Sequence, residues 1–140
     1  VANTVYPLWK GALQTELATL KSLDQPAPNN PALALLTIGA GGYTYSDFHQ
    51  YYTDLTGIQS IPKALTSNTL TSNVFSAAGT VFTGVTGTAI GAFVIFRQNS
   101  GANTTWRLVL YEDTNIIGLP MLPNGGNILV TWSPSGILAL

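Results

Sequence analysis

His49 stands between two carboxylates, Asp47 and Asp54, and is the only imidazole in the chain. The members of a Ser-His-Asp triad need only meet in space, yet no recognised motif ties a serine or an acid to His49. Asp47 and Asp54 are seven residues apart, which on a helix puts both on one side, where they could hold a cation. Solvated acids on a helix are the simpler reading. Glu112-Asp113-Thr114-Asn115 is the densest oxygen cluster. Calcium takes roughly six to eight oxygens, and this run lacks the spacing of an EF-hand. A turn closing a strand explains it better, since Asp and Asn tolerate unusual φ. Gly39-Ala40-Gly41-Gly42 is glycine-rich, but no lysine followed by serine or threonine comes after it, so it is not a P-loop. Asn103-Thr104-Thr105 matches the glycosylation acceptor pattern, which carries no weight without a secretory signal. Cysteine is absent, which excludes a disulfide framework, a thiolate zinc site and thiol catalysis. The expectation is a protein without enzymatic activity, metal or cofactor.

Aromatic residues are the remaining candidates for chemistry. Tyr43, Tyr45, Tyr51 and Tyr52 cluster beside Gly41-Gly42. Exposed tyrosines in such a loop could stack on sugars or anchor a protein interface. The alternative is that Tyr51 and Tyr52 pack beneath a sheet.

These residues must be positioned by the elements around them. Pro7 suits the first turn of a helix, where its missing N–H costs nothing. Trp9, Leu13, Leu17 and Leu20 recur at spacings of four, four and three, with Leu8 and Ala12 widening the stripe. This helix either packs on a sheet or docks as an arm on a neighbour; packing is the simpler reading. Pro26, Pro28 and Pro31 make residues 25–31 an extended loop. Residues 32–38 read as a buried strand. Phe48, Tyr51, Tyr52 and Leu55, with Ser46 as N-cap and Gly57 past the end, predict a short second helix.

From residue 58 onward the pattern is β. Short strands are expected over 63–66, 69–75 and 80–83, with turns at Ser67-Asn68 and Ala78-Gly79. Residues 92–98 and 104–111 read as a hairpin around Asn99-Ser100-Gly101. In its second strand, Trp106, Leu108 and Leu110 would share one face, and Arg107, Val109 and Tyr111 the other. Residues 127–132 alternate, with Ile128, Val130 and Trp132 inward, and residues 137–140 form a last strand. Residues 92–96 are apolar on both faces, so this strand is either central and covered by the N-terminal helix or covered by a partner. The pattern predicts one mainly β domain, an antiparallel β-sandwich (jelly-roll or Ig-like) with an N-terminal helix and one short helix. Residues 1–140 are its span, with 1–24 as a helical arm and 25–31 as a Pro/Asn-rich loop.

Charge is the other bound. Five basic and six acidic residues serve 140 positions, and residues 25–46, 64–96 and 114–140 carry none. A folded chain of this mass exposes roughly 7,000 Å². That leaves one charge per ~600 Å², far below an ordinary soluble surface. Neutral surfaces of that extent usually meet another protein. A net charge of −1 without a basic stretch argues against nucleic acid. Thr, Ser, Asn and Gly interrupt every apolar run before ~18 residues, so a soluble protein with no membrane partner is expected.

Several segments together carry a resemblance. They are Tyr6-Pro7-Leu8-Trp9-Lys10-Gly11-Ala12-Leu13, Leu70-Thr71-Ser72-Asn73-Val74-Phe75-Ser76-Ala77, Ala92-Phe93-Val94-Ile95-Phe96-Arg97, Trp106-Arg107-Leu108 and Gly118-Leu119-Pro120. The most specific is Pro123-Asn124-Gly125-Gly126-Asn127-Ile128-Leu129-Val130-Thr131-Trp132, followed by a short apolar strand. The chain resembles a family of small tailed-phage virion structural proteins over most of its length. The resemblance implies a particle component and not an enzyme. The function it suggests is a capsid decoration or cement protein on the outer head surface, made in the host cytoplasm. Its partners would be the major capsid protein and itself, as a homodimer or homotrimer. Candidate contact residues are Trp9, Leu13, Leu17 and Leu20 of the helix, Pro26, Pro28 and Pro31 of the loop, Tyr43 and Tyr45, and Val81 and Phe82 on the neutral edge. The alternative is a minor tail or fibre component that binds a host-surface glycan through residues 43–52. A hydrolase built on His49 is a distant third.

Overall fold

The two most apolar runs of the chain lie side by side. The computed structural model describes residues 3–15, 23–114 and 116–139. Strands β2 (Pro31–Leu36) and β7 (Ala92–Arg97) pair antiparallel over their full length and are buried at all six positions each. Burial on both faces is what a strand without polar alternation requires. Around them a five-stranded sheet forms in the order β1-β8-β7-β2-β3, where β1 is Thr4–Val5, β8 is Arg107–Glu112 and β3 is Ile58–Ala64. The second layer is split. Strands β4 (Thr69–Thr71), β5 (Val74–Ser76) and β10 (Leu138–Ala139) form one small sheet, and β6 (Thr80–Phe82) pairs with β9 (Ile128–Val130) in another. The protein is a single mainly β domain of packed antiparallel sheets, a β-sandwich.

The expected central position of residues 92–96 holds, but the helix expected to cover it lies against β8, and aromatic side chains from elsewhere meet each face. On one face the Phe96 ring meets Tyr52 at 4.8 Å and stacks on Trp106 at 5.9 Å. On the other, Phe93 meets Trp132 edge-on at 5.4 Å. Helix α1 (Pro7–Thr15) lies against β8, with Trp9 and Ala12 buried. Tyr6 precedes Pro7, and its carbonyl accepts from the Trp9 and Lys10 amides. The packed-helix reading is the one observed as far as residue 15; Leu17 and Leu20 lie outside the described residues.

Three expectations need correction. The second helix over residues 46–57 does not form; only a 3-10 turn at Tyr52–Asp54 is helical. The backbone there is recruited by β8 instead, with Leu108 N–H donating to the Gln50 carbonyl and Tyr52 N–H to the Trp106 carbonyl. A residue tied to a strand cannot also complete a helical turn. The expected strand 69–75 breaks at Ser72 and Asn73, both in the left-handed region (φ 50° and 63°), to give the β4–β5 hairpin. Two such residues are what a tight hairpin turn demands. Finally, the β7–β8 register slips between Ile95 and Phe96, so that Leu110 faces Ile95 while Leu108 faces Phe96. This bulge puts Leu108 and Leu110 on opposite faces, and simple alternation fails.

Candidate functional site

The glycines after β2 turn the chain back so that Tyr43 is drawn under the sheet. Tyr43 N–H donates to the Thr37 carbonyl at 2.7 Å, and a Cβ on Gly42 would collide with that carbonyl. Tyr43 is therefore buried, its hydroxyl 2.8 Å from the Tyr6 hydroxyl and 2.7 Å from His49 Nδ1. Tyr45 and Tyr111 complete the cluster, with ring centroids 5.3 Å apart. Their hydroxyls donate to Asp47 and Asp113 at 2.8 Å and 2.9 Å. Burial pushes the Tyr43 and Tyr45 phenols each up to about 12 and raises those of Tyr6 and Tyr111 further. Phenols shifted this way are locked in the neutral form and resist proton transfer at ordinary pH.

The acids flanking His49 are also occupied. Asp54 accepts from the Gln50 and Tyr51 amides at 2.8 Å and 3.0 Å. Burial works to raise its pKa, but those donors and nearby His49 outweigh it and hold the carboxyl below its ordinary value. Asp47 is held by Tyr45, so Asp47 and Asp54 do not converge as a pair on one helix face. Among the described residues, no three His, Asp or Glu side chains come together as metal ligands. The 112–114 run is a turn closing β8, clamped by Asn3, whose Oδ1 accepts from the Asp113 and Thr114 amides at 2.9 Å each.

The candidate contact residues divide sharply. Trp9, Pro31, Tyr43 and Phe82 are buried and hold the domain together; they are not surface. Pro31 opens β2, a position where a strand tolerates proline. Tyr45 is half-buried against Tyr6 and Tyr111. Pro26, Pro28 and Val81 are exposed. Leu13 lies in α1, and its side chain is outside what the structure describes.

What the surface does offer comes from elsewhere. Val81 and Leu129 face each other across the β6–β9 pair and are 46% and 62% exposed. Ile61 projects at 77% from a bulge in β3, next to Ser60 at φ 69°. The Val81–Leu129 pair is exposed on an uncharged two-stranded ribbon. Alternation in residues 127–132 already marked Leu129 as outward; its pairing with Val81 depends on a contact spanning 48 residues.

A cleft of about 650 Å³ opens between the layers. Its floor includes Leu35 and Phe93 from the large sheet, one wall is residues 127–133, and the other is formed by residues 116–119 and Met121. Among the described residues, Glu112 is its only charged lining residue. Burial raises the Glu112 carboxyl above its ordinary pKa, and the group has no hydrogen-bond or ion-pair partner among the described residues. Trp132 also lines the cleft, and its Nε1–H is buried without a partner among the described residues. Sequence reading placed Glu112 in a turn. The signal that would have found it is its phase: two residues after Leu110, it keeps the inward side of β8.

No protein-family model matches the chain, and no curated protein matches it significantly. No helix among the described residues is long and apolar enough to cross a membrane.

Proposed function

We propose that this chain is a non-enzymatic structural protein of a phage virion, a decoration or cement protein seated between major capsid subunits. The observation that carries this reading is the outward Val81–Leu129 pair, an apolar contact surface on an uncharged ribbon. Side chains on paired strands are already ordered, so docking them costs little conformational entropy. The mechanism is passive. Each copy contributes a modest apolar contact, and symmetry multiplies it across the shell. The sequence resemblance to small virion proteins points the same way.

The rival, glycan binding by a tail component, has less behind it. Of the tyrosines in residues 43–52, Tyr43 is buried and Tyr45 is half-buried and bonded to Asp47. The test is the copy number of this chain per major capsid subunit in purified particles, by quantitative mass spectrometry. A ratio near one, or a simple fraction of it, supports the shell. A handful of copies per particle moves the protein to the tail and refutes the cement reading.

A further inference from the structure

The cleft beside β9 has the features of a strand acceptor. A cavity beneath one face of a strand is lined by alternate residues, because successive side chains point to opposite sides. Here every residue from 127 to 133 lines the cleft, so the cavity runs along the edge of β9. That edge is open among the described residues, where β9 makes its ladder with β6 alone. It also lacks the usual protections. The outer edge strand of the large sheet, β3, is blunted by its bulge and carries Lys63 and Pro62, whereas residues 127–133 contain no charge and no proline. Two polar groups of the cleft have no partner among the described residues: the half-buried Glu112 carboxylate and the buried Trp132 Nε1–H.

We propose that this cleft binds an extended, mostly apolar peptide segment of a partner protein, which adds as a strand to the free edge of β9 and sets a lysine or arginine beside Glu112. Main-chain hydrogen bonds along β9 supply affinity, and side chains at alternate positions enter the apolar floor. The cation pairs with a half-buried carboxylate that has no partner among the described residues. A peptide carbonyl satisfies the Trp132 donor. A small apolar amine would answer Glu112 equally well but would leave the strand edge unpaired, which is why a peptide is favoured. The inference goes beyond the virion reading and does not depend on it, because it is tested with no particle present.

The probe is an acetylated, amidated heptapeptide of alternating valine and threonine with one central lysine, titrated into the isotope-labelled full chain by NMR. Saturating shifts are expected at the β9 amides and at Trp132 Nε1–H. The same peptide with glutamine in place of lysine should bind about tenfold more weakly, a difference of about 1.4 kcal/mol. Methylation of its edge-facing amides should abolish binding. Glu112→Gln should erase the preference for lysine while leaving the rest of the spectrum in place. Four outcomes would overturn the proposal. The methylated peptide could bind as well as the parent, which would mean apolar filling without strand addition. Octylamine could match the peptide, which would make the cleft a small-molecule site. No probe could shift β9 at all. Or the β9 signals could broaden with protein concentration alone, which would give the edge to a second copy of this chain.

Discussion

Alkaline pH should destabilise this protein through its buried phenols, and Tyr6 and Tyr43 make the size of the effect calculable. Both rings are essentially inaccessible, and the two hydroxyls bond each other at 2.8 Å. Burial raises both folded pKa values above 10, to about 12 for Tyr43. A phenol that is harder to ionise when folded contributes its full stability below pH 10 and loses it as pH rises toward the folded value. At pH 11 an unfolded tyrosine is about nine-tenths ionised, whereas the folded one stays protonated. Each of the two then costs about 1.4 kcal/mol, or about 3 kcal/mol together, against a typical domain stability of about 5–15 kcal/mol. Tyr111, also buried, and the half-buried Tyr45 act in the same direction and add to this loss. The assay is urea unfolding at pH 8 and pH 11 for the wild type, Tyr6→Phe and Tyr43→Phe, with phenolate absorbance followed in parallel. Each variant should lower the pH dependence by about 1.4 kcal/mol, the contribution of its own phenol. At pH 8, Tyr43→Phe should also cost about 1–3 kcal/mol, because it strands the Tyr6 hydroxyl in the core and removes the partner of His49 Nδ1. The reasoning is refuted if wild type and Tyr6→Phe lose the same stability between pH 8 and pH 11.

Other perturbations test other parts of the molecule. Phe96→Ala should destabilise by about 3–5 kcal/mol in denaturant unfolding, since its ring fills the space between Tyr52 and Trp106. Gly42→Ala should lower the melting temperature and disturb the Tyr43 ring signals, because the added methyl meets the Thr37 carbonyl at the turn. Leu129→Asp should change stability by no more than about 0.5 kcal/mol, yet sharply reduce the copies retained on purified particles. Asp54, whose carboxyl is held low, contributes stability that is present above about pH 4 and lost as pH falls through its folded value. Asp54→Asn should therefore flatten the acid limb of the stability profile measured by thermal melting.

Much of the framework was legible because local pattern and tertiary demand agree. Continuous apolar runs marked β2 and β7 as doubly covered, and Pro7 followed by the Trp9 stripe marked the helix start. Sequence reading failed where a long-range contact outbid a local one. Phe48, Tyr51, Tyr52 and Leu55 have helical spacing, yet Phe48 stands 87% exposed because residues 50–52 bond to β8. Ser72-Asn73 carried the same turn signal as Ser67-Asn68, but it lay inside a run that also reads as one strand.

The candidate surfaces follow the same division. That this surface is nearly uncharged and that most of the chain is β could be read from residue order, since both depend on residue type and short periodicity. Folding in three dimensions settles which aromatic and proline residues enter the core, that Val81 meets Leu129, and that Glu112 opens into a cleft beside the free edge of β9. Those outcomes depend on register and on contacts between segments far apart in the chain. A single slipped residue, such as the bulge opposite Ile95 and Phe96, reverses which side chains face inward, and no local pattern encodes that choice.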